Sequence, residues 1–139
     1  MSSGQGLVWS STFDTGQPVI DEQHHKLFLL IDELTTCIED GSDKEKLKDT
    51  LDFLIDYTVK HFNDEEEIQL KYEYPMYKRH KVLHEDFKDS VSELVNNYES
   101  NENTDELGAG VNEILTKWMV YHILNEDRKL GDHIKSMEK

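Results

Sequence analysis

The chain has one cysteine, Cys37, and two prolines, Pro18 and Pro75. A lone cysteine forms no internal disulfide and cannot supply a thiolate cluster, so Cys37 reads as a small buried apolar side chain near a helix end. No run approaches the ~18 consecutive apolar residues that a membrane span needs. The opening MSSGQGLVW has no basic segment leading into an apolar stretch, so no secretory leader is expected. Basic residues are in deficit: 15 Lys and Arg stand against 30 Asp and Glu, for a formal net charge of -15. That charge repels nucleic acid and anionic membranes and excludes both as partners. A cytoplasmic location is expected. The length of 139 residues allows one modest core. A single domain over 1–139 is expected, with an irregular arm at 1–18, a bundle over about 19–130 and a short tail at 131–139.

With so few helix breakers, the turn-forming clusters stand out. They divide the chain into helices at about 19–39, 43–70, 76–98 and 105–130. The joints are Asp40-Gly41-Ser42, the corner from Tyr72 to Pro75, and Ser100-Asn101-Glu102-Asn103. Asp43 and Thr104 suit N-caps, and Gly131 suits a helix terminator. Short joints favour antiparallel neighbours, so the expected fold is all-α, an antiparallel up-down-up-down four-helix bundle.

The apolar stripes, read at three- and four-residue spacing, carry polar interruptions. The first runs Ile20, His24, Leu27, Ile31, Leu34, Ile38. The second runs Leu47, Leu51, Leu54, Thr58, His61, Glu65, Ile68. The third is Tyr77, His80, His84, Phe87, Val91, Leu94, Tyr98. The fourth is Leu107, Val111, Ile114, Trp118, His122, with Glu126 and Asp127 a turn beyond. Five of the seven histidines thus face inward. His24 lies early in its helix, His61 and Glu65 late, His80 and His84 early, and His122 late. In an up-down-up-down bundle these places share one end, within roughly 6–15 Å of it at ~1.5 Å rise per residue.

Burying unpaired polar groups costs about 1–3 kcal/mol each, and ionised carboxylates cost more, in a fold stable by only about 5–15 kcal/mol. A metal supplies the compensation. Imidazole with carboxylate suits first-row transition metals and disfavours magnesium or calcium. The donors exceed what one such ion takes, and two ions bridged by two carboxylates would use them. α-Helical geometry places Glu126, four residues after His122, on the same face, and turns Asp127 away by roughly 140°.

These residues resemble a known family, the hemerythrins, and specifically the bacterial ones, over nearly the whole length. The likeness rests on Trp9, Ile20-Asp21-Glu22-Gln23-His24, His61-Phe62-x-x-Glu65-Glu66, Tyr74-Pro75 followed by His80-x-x-x-His84, and Trp118-x-x-x-His122-Ile123-x-x-x-Asp127. The resemblance implies two iron ions per chain with a bridging oxo or hydroxo group. His80, His84 and His122 would hold one iron and His24 and His61 the other, with Glu65 and Asp127 bridging. It selects Asp127 over Glu126, which requires the backbone to distort near the helix end. His25 and His133 fall outside this set.

The resemblance further implies reversible binding of O2 at the two-histidine iron, for oxygen carriage, storage or delivery, with no catalytic residues. Nitric oxide, azide and other small anions are further expected ligands. The dry wall of the O2 pocket would be Leu27, one turn from His24, with Phe62, Trp118, Met119 and Ile123. Met119 departs from the family, where a branched aliphatic is more usual, and its flexible, oxidisable thioether alters the pocket. The alternatives are an O2- or redox-sensing signalling domain, and then peroxidase-like or nitric-oxide-handling di-iron chemistry.

Overall fold

Among the residues described by the computed structural model, 10–41 and 43–137, every regular element is a helix. Trp9 and Ser42 lie outside the described residues. A 3-10 turn, Ser11–Phe13, leads to α1, Pro18–Glu39. Pro18 sits at the helix start, where its missing N–H costs nothing, and Gln17 caps the end by accepting from Ile20 N at 3.0 Å. Helix α2, Lys44–Lys71, begins on the expected cap: Asp43 accepts from Lys46 N at 2.8 Å. Helix α3, Tyr77–Asn101, ends at Glu102, which takes a left-handed conformation.

The fourth helical run, 104–137, departs from expectation in three ways. Its cap is Asn103, accepting from Glu106 N at 3.1 Å, and Thr104 is the first helical residue. It is not uniformly α-helical: Val111–Lys117 and Ile123–Asp127 are π-helical, between α-helical Thr104–Gly110, Trp118–His122 and Arg128–Met137. An i→i+5 register advances the buried face by an extra residue. The buried positions therefore run Leu107, Val111, Leu115, Met119, His122, Ile123, while Ile114 and Trp118, assigned to the stripe from sequence, are half-buried.

Gly131 does not terminate the run, which continues to Met137. The glycine is buried because the N-terminal arm crosses it: a Cβ there would lie 2.2 Å from the Thr15 carbonyl oxygen. The arm is held by Asp21, which accepts from Thr15 N at 2.8 Å, Thr15 Oγ1 at 2.7 Å and Gly16 N at 3.0 Å.

Helix α1 packs on α2, α2 on α3, α3 on the fourth run, and the fourth run back on α1, as in a helical bundle. No described helix is long and apolar enough to cross a membrane. The interior holds two apolar clusters. The larger includes Leu27, Leu34, Leu51, Phe62, Phe87, Leu115 and Ile123; the smaller is Ile20, Tyr74, Leu130 and Ile134, with Ile68 and Tyr72 against it. In chain order His24 falls between Ile20 and Leu27, Glu65 between Phe62 and Ile68, His80 and His84 between Tyr74 and Phe87, and Asp127 between Ile123 and Leu130. These residues lie where one cluster gives way to the other, while His61 and His122 lie within the end of the larger cluster.

Replacing Gly131 by alanine is expected to cost about 1–3 kcal/mol, since the clash is with backbone that yields little. Urea unfolding would read this as a lower midpoint at unchanged slope. An unchanged midpoint would mean that the arm does not press on the helix.

Candidate metal centre

Seven side chains meet in the interior: His24 from α1, His61 and Glu65 from α2, His80 and His84 from α3, and His122 and Asp127 from the fourth run. Each is at most 2 % exposed. They form two groups whose donor atoms lie within 4.8 Å of one another, Glu65, His80, His84, His122 and Asp127 in one, and His24, His61, Glu65 and Asp127 in the other. Both carboxylates belong to both groups. Glu65 Oε1 is 2.9 Å from His80 Nε2 and 3.2 Å from His84 Nε2, while Glu65 Oε2 is 3.4 Å from His61 Nε2. Asp127 Oδ1 is 2.9 Å from His80 Nε2 and 3.1 Å from His122 Nε2, while Oδ2 is 2.9 Å from His24 Nε2.

The π-helical turn explains how Asp127 arrives there. Hydrogen bonding at i→i+5 over Ile123–Asp127 brings the residue five positions after His122 back to its side. Glu126, which regular α geometry would favour, is buried but turned to Arg79, whose Nη2 lies 3.3 Å from Glu126 Oε2 and whose Nη1 bonds Oε1.

Distances near 3 Å look like hydrogen bonds, yet both oxygens of Glu65, both of Asp127 and Nε2 of His24 make none. Their lone pairs converge on shared points. Donors at right angles on a cation at ~2.1 Å stand about 3 Å apart, so the spacing fits metal coordination. The donor chemistry, imidazole with carboxylate, fits an iron site.

Without a cation the site must neutralise itself with protons. Burial alone pushes His24 and His80 down, but Asp127 and Glu65 hold them up, to about 9 and about 10. At His61 burial wins and lowers the pKa. Burial opposes ionisation of Glu65 and Asp127, and the surrounding imidazoles nevertheless hold both well below the usual carboxylate range.

Two further residues, Gln23 and Glu66, touch the imidazoles from behind. Gln23 Oε1 lies 2.7 Å from His61 Nδ1, and Glu66 Oε2 lies 2.9 Å from His84 Nδ1. Both sit one position from a predicted ligand, on a flank that the apolar stripe leaves out, and each serves the neighbouring helix. Their adjacency to the motif residues was the available signal; the partner ring was not readable. Phe62 stacks on His84 at 3.9 Å and Trp118 on His122 at 4.3 Å. Both thus lie against the three-histidine group, although Phe62 also approaches His61 at 5.9 Å. Leu27, Met119 and Ile123 are buried in the larger cluster. His25 is exposed. His133 donates Nε2–H to the Tyr72 carbonyl at 2.8 Å, where α2 ends, and neither belongs to the donor groups.

A family model described as the hemerythrin HHE cation binding domain matches residues 15–134. The chain is 30% identical over 131 residues to a bacteriohemerythrin of Stenotrophomonas maltophilia, covering 94% of this chain and 82% of that protein. A bacteriohemerythrin of Methylococcus capsulatus is 29% identical over 126 residues, covering 90% of this chain and 94% of that protein. A hemerythrin-like protein of Naegleria gruberi is 31% identical over 121 residues, 87% of each chain.

Two measurements follow. Asp127→Ala should weaken metal binding by more than about 100-fold, beyond the loss typical of an outer partner, whereas Glu126→Gln should leave metal content unchanged; the reverse order would make Glu126 the donor instead. Metal must also displace the protons on His24 and His80. Their raised pKa values stabilise the metal-free fold fully below pH 6.5, a contribution lost as pH rises through about 9 to 10. Metal affinity should therefore rise with pH up to that range. Calorimetry at pH 7 in buffers of different ionisation heat should find at least about two protons released per chain, with a further contribution from His84, whose pKa burial lowers but Glu65 and Glu66 raise. No release would contradict protonated histidines.

Proposed function

Because this chain belongs to the hemerythrin family, we propose that it binds dioxygen reversibly at a carboxylate-bridged pair of iron ions, for oxygen carriage, storage or delivery. The observation that carries this reading is the sharing of both carboxylates between the two groups. His80, His84 and His122 with one oxygen each from Glu65 and Asp127 supply five donors to one iron; His24 and His61 with the remaining oxygens supply four to the other. With an oxo or hydroxo bridge the His24/His61 half would keep fewer protein donors and so would be the half open to a small ligand. Iron held by these residues would supply the redox chemistry for reversible dioxygen binding.

The chain's own residues supply the rest. The four helices run up-down-up-down in one domain, an arrangement supported by the short connections and by the meeting of donors from all four helical runs in two adjoining groups. Imidazole outnumbers carboxylate in the donor set, which leaves oxidised iron less stabilised than a carboxylate-rich set would. Leu27, Met119 and Ile123, at most 1 % exposed, are proposed with Phe62 and Trp118 to keep the ligand position dry. Apolar walls offer no general acid or base, which favours binding over turnover.

Iron analysis and visible spectra test this. The dithionite-reduced protein should hold two irons per chain, gain a visible absorption band on admission of air and lose it when oxygen is removed. Two irons that oxidise at once to a stable form would favour redox sensing over carriage. Glu65→Ala should bring iron below two per chain, and an unaltered site would sink the bridging assignment.

A further inference from the structure

Two imidazoles of the centre have side-chain partners on the nitrogen facing away from the donor cluster, and those partners differ in charge. His84 Nδ1 meets the Glu66 carboxylate at 2.9 Å. His61 Nδ1 meets a neutral amide, Gln23 Oε1, at 2.7 Å. An amide can present either its oxygen or its NH2 group to a histidine, so its other end decides the matter. Gln23 Nε2 lies 2.8 Å from Asp64 Oδ2, an oxygen that also receives Lys60 Nζ at 2.8 Å. An ionised carboxylate only accepts, so the amide must turn its NH2 group to Asp64 and its carbonyl to His61. A carbonyl only accepts in turn. His61 therefore donates from Nδ1, and its Nε2 keeps the lone pair that faces Glu65 Oε2 at 3.4 Å. A chain of four side chains, from exposed Lys60 through Asp64 and Gln23, sets the tautomer of a buried ring.

We propose that Gln23, clamped by Asp64, is the positioning residue that fixes His61 as a donor to a neutral acceptor, and that the contrast with carboxylate-bonded His84 makes the His24/His61 half the weaker-donating half of the centre. This rests on the two-ion reading above. A carboxylate behind an imidazole draws on its N–H and raises the basicity of the coordinating nitrogen more than an amide does. Weaker donation on the His24/His61 side leaves an oxidised ion there less stabilised, which favours returning electrons to dioxygen. The asymmetry thus falls on the half to which the small ligand is assigned.

The test uses the full chain loaded with two equivalents of cadmium. Cadmium NMR should give two resonances, told apart by coupling to three or to two imidazole nitrogens. Gln23→Glu should tighten cadmium on the two-imidazole side and Glu66→Gln should weaken it on the three-imidazole side, each by roughly 10–100-fold and each shifting mainly its own resonance. Asp64→Asn should release the amide and convert the single His61 Nδ1–H signal into a mixture of tautomers in nitrogen-edited proton spectra. The proposal falls if both substitutions move both resonances alike, or if the His61 ring signals ignore Asp64→Asn. Fewer than two cadmium resonances in the unsubstituted protein would overturn the two-ion reading instead. The metal-free histidine spectra of Asp64→Asn would then still decide the role of Gln23.

Discussion

Glu65 and Asp127 are ionised carboxylates 0 % and 1 % exposed, and among the described residues no lysine or arginine pairs with either. Withdrawing such charges from water costs several kcal/mol apiece, and among the described residues their countercharge comes from the imidazoles of His24, His61, His80, His84 and His122. Each helix must therefore bring a histidine to the level of the carboxylates. The apolar interior is divided as a result, with a large cluster on one side of the polar layer and the small cluster of Ile20, Tyr74, Leu130 and Ile134 on the other. Neither cluster alone spans the bundle.

Such a layer is tolerable only if its rings are held still. Phe62 stacks on His84 and Trp118 on His122, and Phe87 packs against both aromatics, at 5.7 Å and 4.2 Å. Gln23 and Glu66 hold His61 and His84 from behind. In an interior this buried, polar contacts strengthen and unmet ones become expensive, so a metal that satisfied the converging lone pairs would contribute to folding as well as to chemistry. The acidic surface is a separate matter: exposed pairs such as Lys44 with Glu102 are solvated and contribute little.

The fourth helical run joins these demands. A regular α-helix cannot aim His122, Met119 and Asp127 inward together, and its two π-helical stretches resolve the conflict by shifting the register twice. Past the second stretch the chain returns to α-helix, so that Leu130 and Ile134 close the small cluster and Gly131 lets the arm cross at backbone contact. Thr15 thereby holds the arm in two directions, to Asp21 at the start of α1 and against the helix it crosses.

Much of this was legible in the amino-acid order. Helical periodicity interrupted by histidine at matched heights required four helices and one polar layer, because an inward polar group is costly wherever it stands and tolerable only where others meet it. Asp127 was readable only through family resemblance, since a π turn leaves no mark in hydrophobic periodicity until the displaced stripe is seen. Gly131 looked like a stop because glycine ends helices as readily as it admits a close neighbour, and only the course of the arm distinguishes the two. Composition and spacing thus determined the five histidine donors and Glu65 and the level at which they stand. Tertiary structure decided which oxygen faces which histidine group, why Glu126 pairs with Arg79, and which side chain stands behind each ring, because those choices depend on contacts between helices that no single helix encodes.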